Sequence, residues 1–139
     1  VENNPRIPVA SPDIEQVIQT AFTFLGTQYS WGGRSPKGFD CSGFVQTCFL
    51  LNGVQLPRDA RQQALVGKPV DDAFNLWAVG DLIFFTERSE NITHVAISLG
   101  NGDFIHSSGF VKLNSLNPEN TSLYFEKYSK FFTKTIRIL

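Results

Sequence analysis

The sequence predicts an α+β domain in which N-terminal helices pack on an antiparallel β-sheet. Two observations support this fold class. Apolar residues recur with helical spacing in the first half of the chain, whereas the second half contains the short apolar blocks and alternating segments typical of strands. Helices followed by strands favour a segregated α+β fold over a doubly wound sheet. We expect residues 1–10 to form an arm or linker remnant and residues 11–139 to form one domain with one core.

Three helices are predicted in the first half. The first starts with Ser11 as N-cap and Pro12 at its first position, and it ends at Gly26. The second spans residues 40–52 and the third spans residues 59–66, and each is followed by a glycine. Residues 27–38, rich in glycine and containing a Ser-Pro pair, are predicted to be a loop. The apolar face of the first helix consists of Ile14, Val17, Ile18, Ala21, Phe22 and Leu25.

The second half is predicted to form the sheet. Residues 81–85, "DLIFF", indicate a buried strand, and residues 94–109 indicate a hairpin around residues 100–102. Residues 110–114 continue the sheet, and a short helix falls within residues 123–132. Residues 135–139 alternate in polarity and predict a final strand.

Composition excludes several classes of function. Hydrophobic residues make up 42% of the chain, so a packed interior is expected. The formal net charge is −1 and no basic stripe is present, which disfavours nucleic-acid binding. No apolar run approaches the roughly 20 residues that a membrane-spanning helix needs. We expect no cofactor.

Cys41 is the candidate nucleophile. It follows Asp40, the predicted N-cap of the second helix, and a helix N-terminus favours negative charge, so the sequence predicts a lowered thiol pKa. Gly43 would let backbone N–H groups approach a substrate carbonyl. The alternative is a buried core cysteine, which is our expectation for Cys48. Seven residues on one helix place the two cysteines roughly 10 Å apart along its axis, beyond the roughly 7 Å between Cα atoms that a disulfide allows, so we expect free thiols.

The only two histidines, His94 and His106, lie in the predicted hairpin. A two-residue turn would place the imidazoles on opposite faces, whereas a three-residue loop at residues 100–102 would pair Ala96 with His106 and place both on one face, as diagonal neighbours. Gly at the third loop position favours the three-residue loop. His94 could then act as the general base and His106 could hold its ring in the right tautomer. The alternative is a pair of structural strand histidines. A zinc site is disfavoured because the cysteines are seven residues apart on a helix.

Tyr29 and Trp31 mark the segment "YSWGG". These two aromatic rings either tuck the loop into the core or form the wall of an active site. In the second interpretation, Gly32 and Gly33 allow a substrate backbone to approach.

Five segments occur in the order seen in the NlpC-type cysteine peptidases of bacterial cell walls: "YSWGG", "GFDCSGFV", "LPRDARQQ", "GDLIFF" and "HVAISLGNGDFIHSSG". The chain resembles this family from about residue 21 to residue 109. The resemblance implies a papain-like α+β domain in which the nucleophile's helix packs on a sheet that carries the histidines. It implies that Cys41 is the nucleophile, His94 the base and His106 the third polar residue.

The resemblance also implies a substrate and a location. Family members hydrolyse peptidoglycan stem peptides, commonly at the bond between γ-D-glutamate and a diamino acid, in the bacterial cell envelope, whether periplasmic, surface-anchored or secreted. Members that cut free stem peptides bind the L-alanine end with residues that match Tyr29, Asp40 and Ser42. Trp31 and Arg58 lie in the shared motifs and are expected to contact the substrate. Asp40 would then both cap its helix and bind an amine.

Three questions stay open at this point. Many family members carry wall-binding domains that help to close the substrate pocket, and none is recognised in this sequence, so a requirement for a free amine is open. The diamino acid is either diaminopimelate or lysine. The rival functions are a papain-like amidase or acyltransferase, and a catalytically silent wall-binding module.

Overall fold

The computed structural model of the chain describes residues 13–35 and 38–139. It has helices α1 (Ile14–Thr23), α2 (Cys41–Leu50), α3 (Ala60–Gln63) and α4 (Glu126–Phe131), and a 3₁₀ turn at Phe74–Leu76. Its strands are β1 (Arg34–Ser35), β2 (Gly38–Phe39), β3 (Lys68–Val70), β4 (Leu82–Phe85), β5 (His94–Gly100), β6 (Asp103–Ser108), β7 (Phe110–Ser115) and β8 (Phe132–Arg137). The predicted α+β class is confirmed.

Six strands form one antiparallel sheet in the order β3-β8-β4-β5-β6-β7, and β1 and β2 pair separately. Because side chains alternate between the two faces of a strand, β4 divides its residues between two cores. Leu82 and Phe84 join the core shared with α1 and α2, whereas Ile83 and Phe85 join the core on the other face, which includes Tyr128 of α4. The sheet is therefore covered on both faces at its centre.

Helix α1 begins later than predicted. Asp13 is its N-cap and accepts a hydrogen bond from the N–H of Glu15 at 2.9 Å. The predicted cap, Ser11, and Pro12 lie outside the described residues, as does the predicted arm at residues 1–10. Phe22 and Leu25 are 38% and 43% exposed, so assigning them to the apolar face was wrong. The other four predicted residues pack in or against the core: Ile14, Val17, Ile18 and Ala21.

The hairpin between β5 and β6 reaches the predicted register through a different turn. Ile97 pairs with Ile105, and this register places the two histidines on the same face. The turn itself has two residues, Asn101 and Gly102, with φ of 56° and 89°. A β-bulge between Ser98 and Gly100 adds one residue to β5 just before the turn, and this extra residue gives the same pairing of Ile97 with Ile105 that a three-residue loop would give. The predicted three-residue loop was therefore wrong, although its consequence for the histidines holds.

Several short elements escaped prediction. Strands β1 and β2 lie within the segment predicted to be a loop, and β3 and the 3₁₀ turn lie in a segment without a prediction. Helix α3 ends at Gln63, short of the predicted residue 66, and β8 begins at Phe132 rather than at residue 135. No helix in the described part of the chain has the length and apolar character needed to cross a membrane.

Candidate active site

The N-terminus of α2 is held by Asp40. Its Oδ1 accepts a hydrogen bond from the N–H of Gly43 at 2.6 Å, which caps the helix. Arg58 donates from Nη1 to Oδ1 at 3.1 Å and from Nη2 to Oδ2 at 2.7 Å. Nη1 also lies 3.0 Å from Oγ of Ser42. This network fixes Cys41 as the first residue of α2, and it uses the N–H of Gly43 for capping.

Cys41 is protonated in the resting protein. It is only 9% exposed, and burial raises the pKa of its thiol to about 11, with a further contribution from the neighbouring Asp40 carboxylate. Backbone N–H groups of Val95, Ser42 and Cys41 itself act in the opposite direction. The predicted lowering of the pKa was wrong, because desolvation outweighs the electropositive helix end. The thiol instead donates to the carbonyl oxygen of Thr93, with 3.8 Å between the heavy atoms.

The second cysteine behaves as predicted. Cys48 is fully buried in the core between the helices and the sheet, and both cysteines are free thiols. Among the described residues, no three His, Cys, Asp or Glu side chains are grouped as a metal ion would require.

The two histidines belong to a chain of hydrogen bonds. Nε2 of His94 lies 2.7 Å from Nδ1 of His106, and Nε2 of His106 lies 2.9 Å from Oδ1 of Asn114. Nδ2 of Asn114 donates to the carbonyl oxygen of Leu123 at 3.1 Å. The amide oxygen of Asn114 only accepts, so His106 carries its proton on Nε2 and accepts through Nδ1. His94 therefore carries its proton on Nε2, and its Nδ1 is the ring nitrogen left with a lone pair.

Both imidazoles are neutral. Burial lowers the pKa of His94 well below its ordinary value, and the adjacent His106 and two lysines, Lys127 and Lys112, lower it further. Burial and the same lysines lower the pKa of His106 to about 4, against a raising effect of its hydrogen bond to Asn114. The rings also pack on Tyr128 of α4. These surroundings fix both rings and penalise a cation on either one.

Asn114 is the site residue that sequence reasoning missed. The predicted strand at residues 110–114 contained the signal. His106 pairs with Lys112 across β6 and β7, and Asn114 lies two residues further along, on the same face as Lys112. A polar residue diagonal to a buried histidine is in reach of its ring.

Two clefts meet at Cys41. One, of about 370 Å³, is lined by Cys41 and His94 together with Phe85, Glu87, Lys127 and Tyr128, among others. The other, of about 560 Å³, is lined by Cys41 and by all five residues predicted to bind substrate: Tyr29, Trp31, Asp40, Ser42 and Arg58. Cys41 and Tyr29 border both clefts. The structure therefore brings every predicted site residue except His106 to these two adjoining clefts, together called the groove, and His106 is buried behind His94, to which it is hydrogen-bonded.

The "YSWGG" segment forms a rim of this groove and not part of the core. Trp31 is 90% exposed, which excludes the core-packing alternative for its ring. Burial raises the pKa of Tyr29, and the nearby Cys41 and Asp40 raise it further, so its hydroxyl stays a donor. A Cβ on Gly33 would lie 2.4 Å from the carbonyl oxygen of Gly38. The space at Gly33 is thus taken by β2 rather than by a substrate backbone, contrary to expectation.

Comparison with known proteins agrees with the motifs and the geometry. The chain matches the NlpC/P60 family over residues 26–134. It is 43% identical over 113 residues to a γ-D-glutamyl-L-lysine dipeptidyl-peptidase of Bacillus subtilis, covering 77% of this chain and 37% of that protein. A protein of the same name from Bacillus cereus is 37% identical over 123 residues, covering 87% of this chain and 36% of that protein.

A solved structure extends the comparison to the fold. The crystal structure of an NlpC/P60 family protein from Bacillus cereus superposes with a TM-score of 0.81 at 33% identity. The matched region covers 93% of this chain and 41% of the Bacillus cereus chain. The present chain therefore spans about two fifths of the length of these relatives. The resemblance inferred from the motifs is confirmed, and the chain belongs to the NlpC/P60 family.

Proposed function

We propose that this domain is a cysteine peptidase that hydrolyses the bond between γ-D-glutamate and the diamino acid of peptidoglycan stem peptides. One observation supports this function above all. The nucleophile candidate Cys41 and the base candidate His94 border the same cleft, and the far nitrogen of His94 is held by His106 at 2.7 Å. A nucleophile, a base and a group that orients the base are the parts that acyl transfer requires.

The two clefts give the substrate a direction. His94 must protonate the departing amine, so the leaving diamino acid occupies the cleft that His94 lines. The acyl part, L-alanyl-γ-D-glutamate, then occupies the cleft lined by Asp40, Ser42 and Arg58. The leaving-group cleft is lined by one anionic side chain, Glu87, and two cationic ones, Arg88 and Lys127. It therefore offers charges of both signs to a diamino acid, which carries both an ammonium and a carboxylate.

The reaction proceeds through a thioester. Nδ1 of His94 takes the thiol proton of Cys41 as the sulfur attacks the γ-carbonyl carbon. The carbon–nitrogen bond breaks when the same proton passes from His94 to the departing amine. Water then gives a proton to His94 and attacks the thioester, and the carbon–sulfur bond breaks as the thiolate recovers that proton. Because the resting pair is neutral, this proton transfer is coupled to the arrival of the substrate carbonyl.

The oxyanion formed at each step needs hydrogen-bond donors. The N–H groups of Cys41 and Ser42 at the start of α2 interact with the sulfur, and Tyr29, whose hydroxyl can donate, lines both clefts beside Cys41. Burial keeps that hydroxyl protonated. Donors fixed in a partly desolvated cleft stabilise the developing charge more strongly than water does.

Asp40 keeps one lone pair for the amine of the substrate. A carboxylate has about four acceptor sites. Oδ1 accepts from Gly43 and Arg58 and is also approached by Oγ of Ser42 at 3.5 Å, whereas Oδ2 accepts only one of these bonds, from Arg58, and keeps its second site open. Helix capping and amine binding are therefore compatible, although the charge of Asp40 is shared with Arg58. The side chain of Arg58 is 29% exposed, and its guanidinium can also bind the α-carboxylate of D-glutamate.

The test uses two tripeptides, L-Ala-γ-D-Glu followed by meso-diaminopimelate or by L-lysine, with products identified by mass spectrometry. We expect release of the free diamino acid, and no release by Cys41→Ala. An added amine acceptor distinguishes hydrolysis from the rival acyltransferase, since a transferase would give an amide product. Intact cell wall serves as a third substrate, because we place the activity in the bacterial cell envelope. Wild-type protein that cleaves none of the three would overturn the proposed function.

A further inference from the structure

We propose that Asn114 is a positioning residue that selects the tautomer of both active-site histidines. The expected effect on catalysis rests on the proposed function, whereas the assignment of the tautomers rests on the hydrogen bonds alone. Asn114 contacts neither cleft and acts through His106, to which its Oδ1 lies 2.9 Å from Nε2.

The orientation of the Asn114 amide is determined by its second partner. The carbonyl oxygen of Leu123 can only accept, so the NH₂ end of the amide faces it at 3.1 Å. The N–H of Ser115 donates to the same carbonyl at 3.0 Å, and this ties residue 123 to the end of β7. With the NH₂ end fixed, the oxygen of the amide has to face His106.

The selection at His106 passes on to His94. A neutral imidazole has two tautomers, and His106 with its proton on Nδ1 would turn a donor toward Nε2 of His94. His94 would then carry its proton on Nδ1, where it could not accept the thiol proton of Cys41. By favouring the other tautomer, Asn114 keeps Nδ1 of His94 available as the base.

An amide suits this position better than a carboxylate would. The titratable groups around His106 are His94 on β5, Lys112 on β7, and Lys127 and Tyr128 on α4. The two lysines oppose a cation on His106, so the ring stays neutral and a neutral acceptor is enough to choose its tautomer. A carboxylate would favour the imidazolium, which donates from both nitrogens and would again block the base.

Two variants test the proposal, with an exposed asparagine, Asn75, as matched control. Asn114→Asp is isosteric, and we expect its activity to be near wild type at high pH and to be lost as the pH falls. The apparent pKa of the acid limb of kcat/KM should be higher than in wild type by about one unit or more. Asn114→Leu should lower kcat by about tenfold or more at every pH and leave KM nearly unchanged. Asn75→Asp should keep the wild-type profile.

A spectroscopic readout separates positioning from a loss of structure. In ¹⁵N-histidine NMR spectra of the wild type, both rings should show protonated Nε2 and bare Nδ1, and Asn114→Leu should show a tautomer mixture at His106. Unchanged tautomers in Asn114→Leu, or a wild-type pH profile in Asn114→Asp, would overturn the proposal. Since the spectra need no substrate, wild-type protein that shows these tautomers but cleaves no stem peptide would count against the proposed function alone.

Discussion

Cys41 should be slow to alkylate in the resting protein even though it is the proposed nucleophile. Its pKa of about 11 lies two units above the 9.0 of an unperturbed thiol. Well below both pKa values, the thiolate fraction is then about 100-fold smaller than that of a free thiol, and iodoacetamide reacts with the thiolate. We therefore expect alkylation near pH 7.5 to be about 100-fold slower than that of glutathione, and to rise about tenfold per pH unit toward pH 11.

The same reasoning predicts the effect of removing the base. His94 is neutral in the resting protein, because burial and its cationic neighbours lower its pKa. It therefore contributes no positive charge that would stabilise a thiolate before substrate binds. His94→Ala should abolish hydrolysis of the stem peptide and change the alkylation rate of Cys41 by less than about threefold.

The assay follows alkylation by mass spectrometry from pH 6 to 11, with Cys48→Ala as the background so that a single thiol is scored. Protein unfolded in guanidinium is the control, since Cys41 should then react like glutathione. Rapid alkylation at neutral pH that is lost in His94→Ala would show a thiolate–imidazolium pair at rest, and the neutral-pair reasoning would be refuted.

Three further predictions concern the substrate amine and the frame of the site. Acetylating the L-alanine amine should lower kcat/KM about tenfold in wild type, and Asp40→Asn should reduce that ratio to below about threefold; an equal ratio in wild type and variant would rule out the amine contact. Arg137→Ala should lower the free energy of unfolding in urea by about 2 kcal/mol. Asp81 is 1% exposed and would lose the guanidinium that bonds it at 2.8 and 2.9 Å, keeping the N–H of Ala78 as a donor. No change in the urea midpoint would contradict this. Gly33→Ala should destabilise the protein more than Gly32→Ala in thermal unfolding. The Cβ of Gly33→Ala would lie 2.4 Å from a β2 carbonyl oxygen, whereas that of Gly32→Ala meets nothing within 4 Å and carries only the strain of a φ of 73°. An equal or larger loss in Gly32→Ala would contradict this.

Local patterns were enough to predict the elements that carry the site. The helix that begins at Cys41 was predictable because Asp40 is a strong N-cap, and the structure shows its side chain bonded to the N–H of Gly43. The register of the histidine hairpin was predictable from two glycines around Asn101. The turn type was not, because a bulge and a two-residue turn give the same register as a three-residue loop.

Properties that depend on burial or on contacts between distant parts of the chain could not be predicted from local sequence. The end of a helix indicates an electropositive position, but it does not reveal that Cys41 is 9% exposed and desolvated. Arg58 is distant in sequence from Asp40, so the pairing that shares its carboxylate became visible only in the fold. Asn114 lay in a predicted strand, yet its function depends on which residue faces His106 and on the carbonyl of Leu123 from a later turn.

Burial of the groove acts in opposite directions on two steps of the proposed reaction. Before substrate binds, it raises the pKa of Cys41 and lowers that of His94, so transfer of the proton between them is unfavourable. Once a carbonyl occupies the groove, the same low dielectric strengthens the hydrogen bonds that Tyr29 and the N–H of Cys41 direct at the oxyanion. Charge separation is thus favourable only after a substrate carbonyl is bound, because the negative charge then moves onto the carbonyl oxygen. Since oxidation and alkylation both need the thiolate, a neutral resting pair also protects the sulfur while the groove is empty.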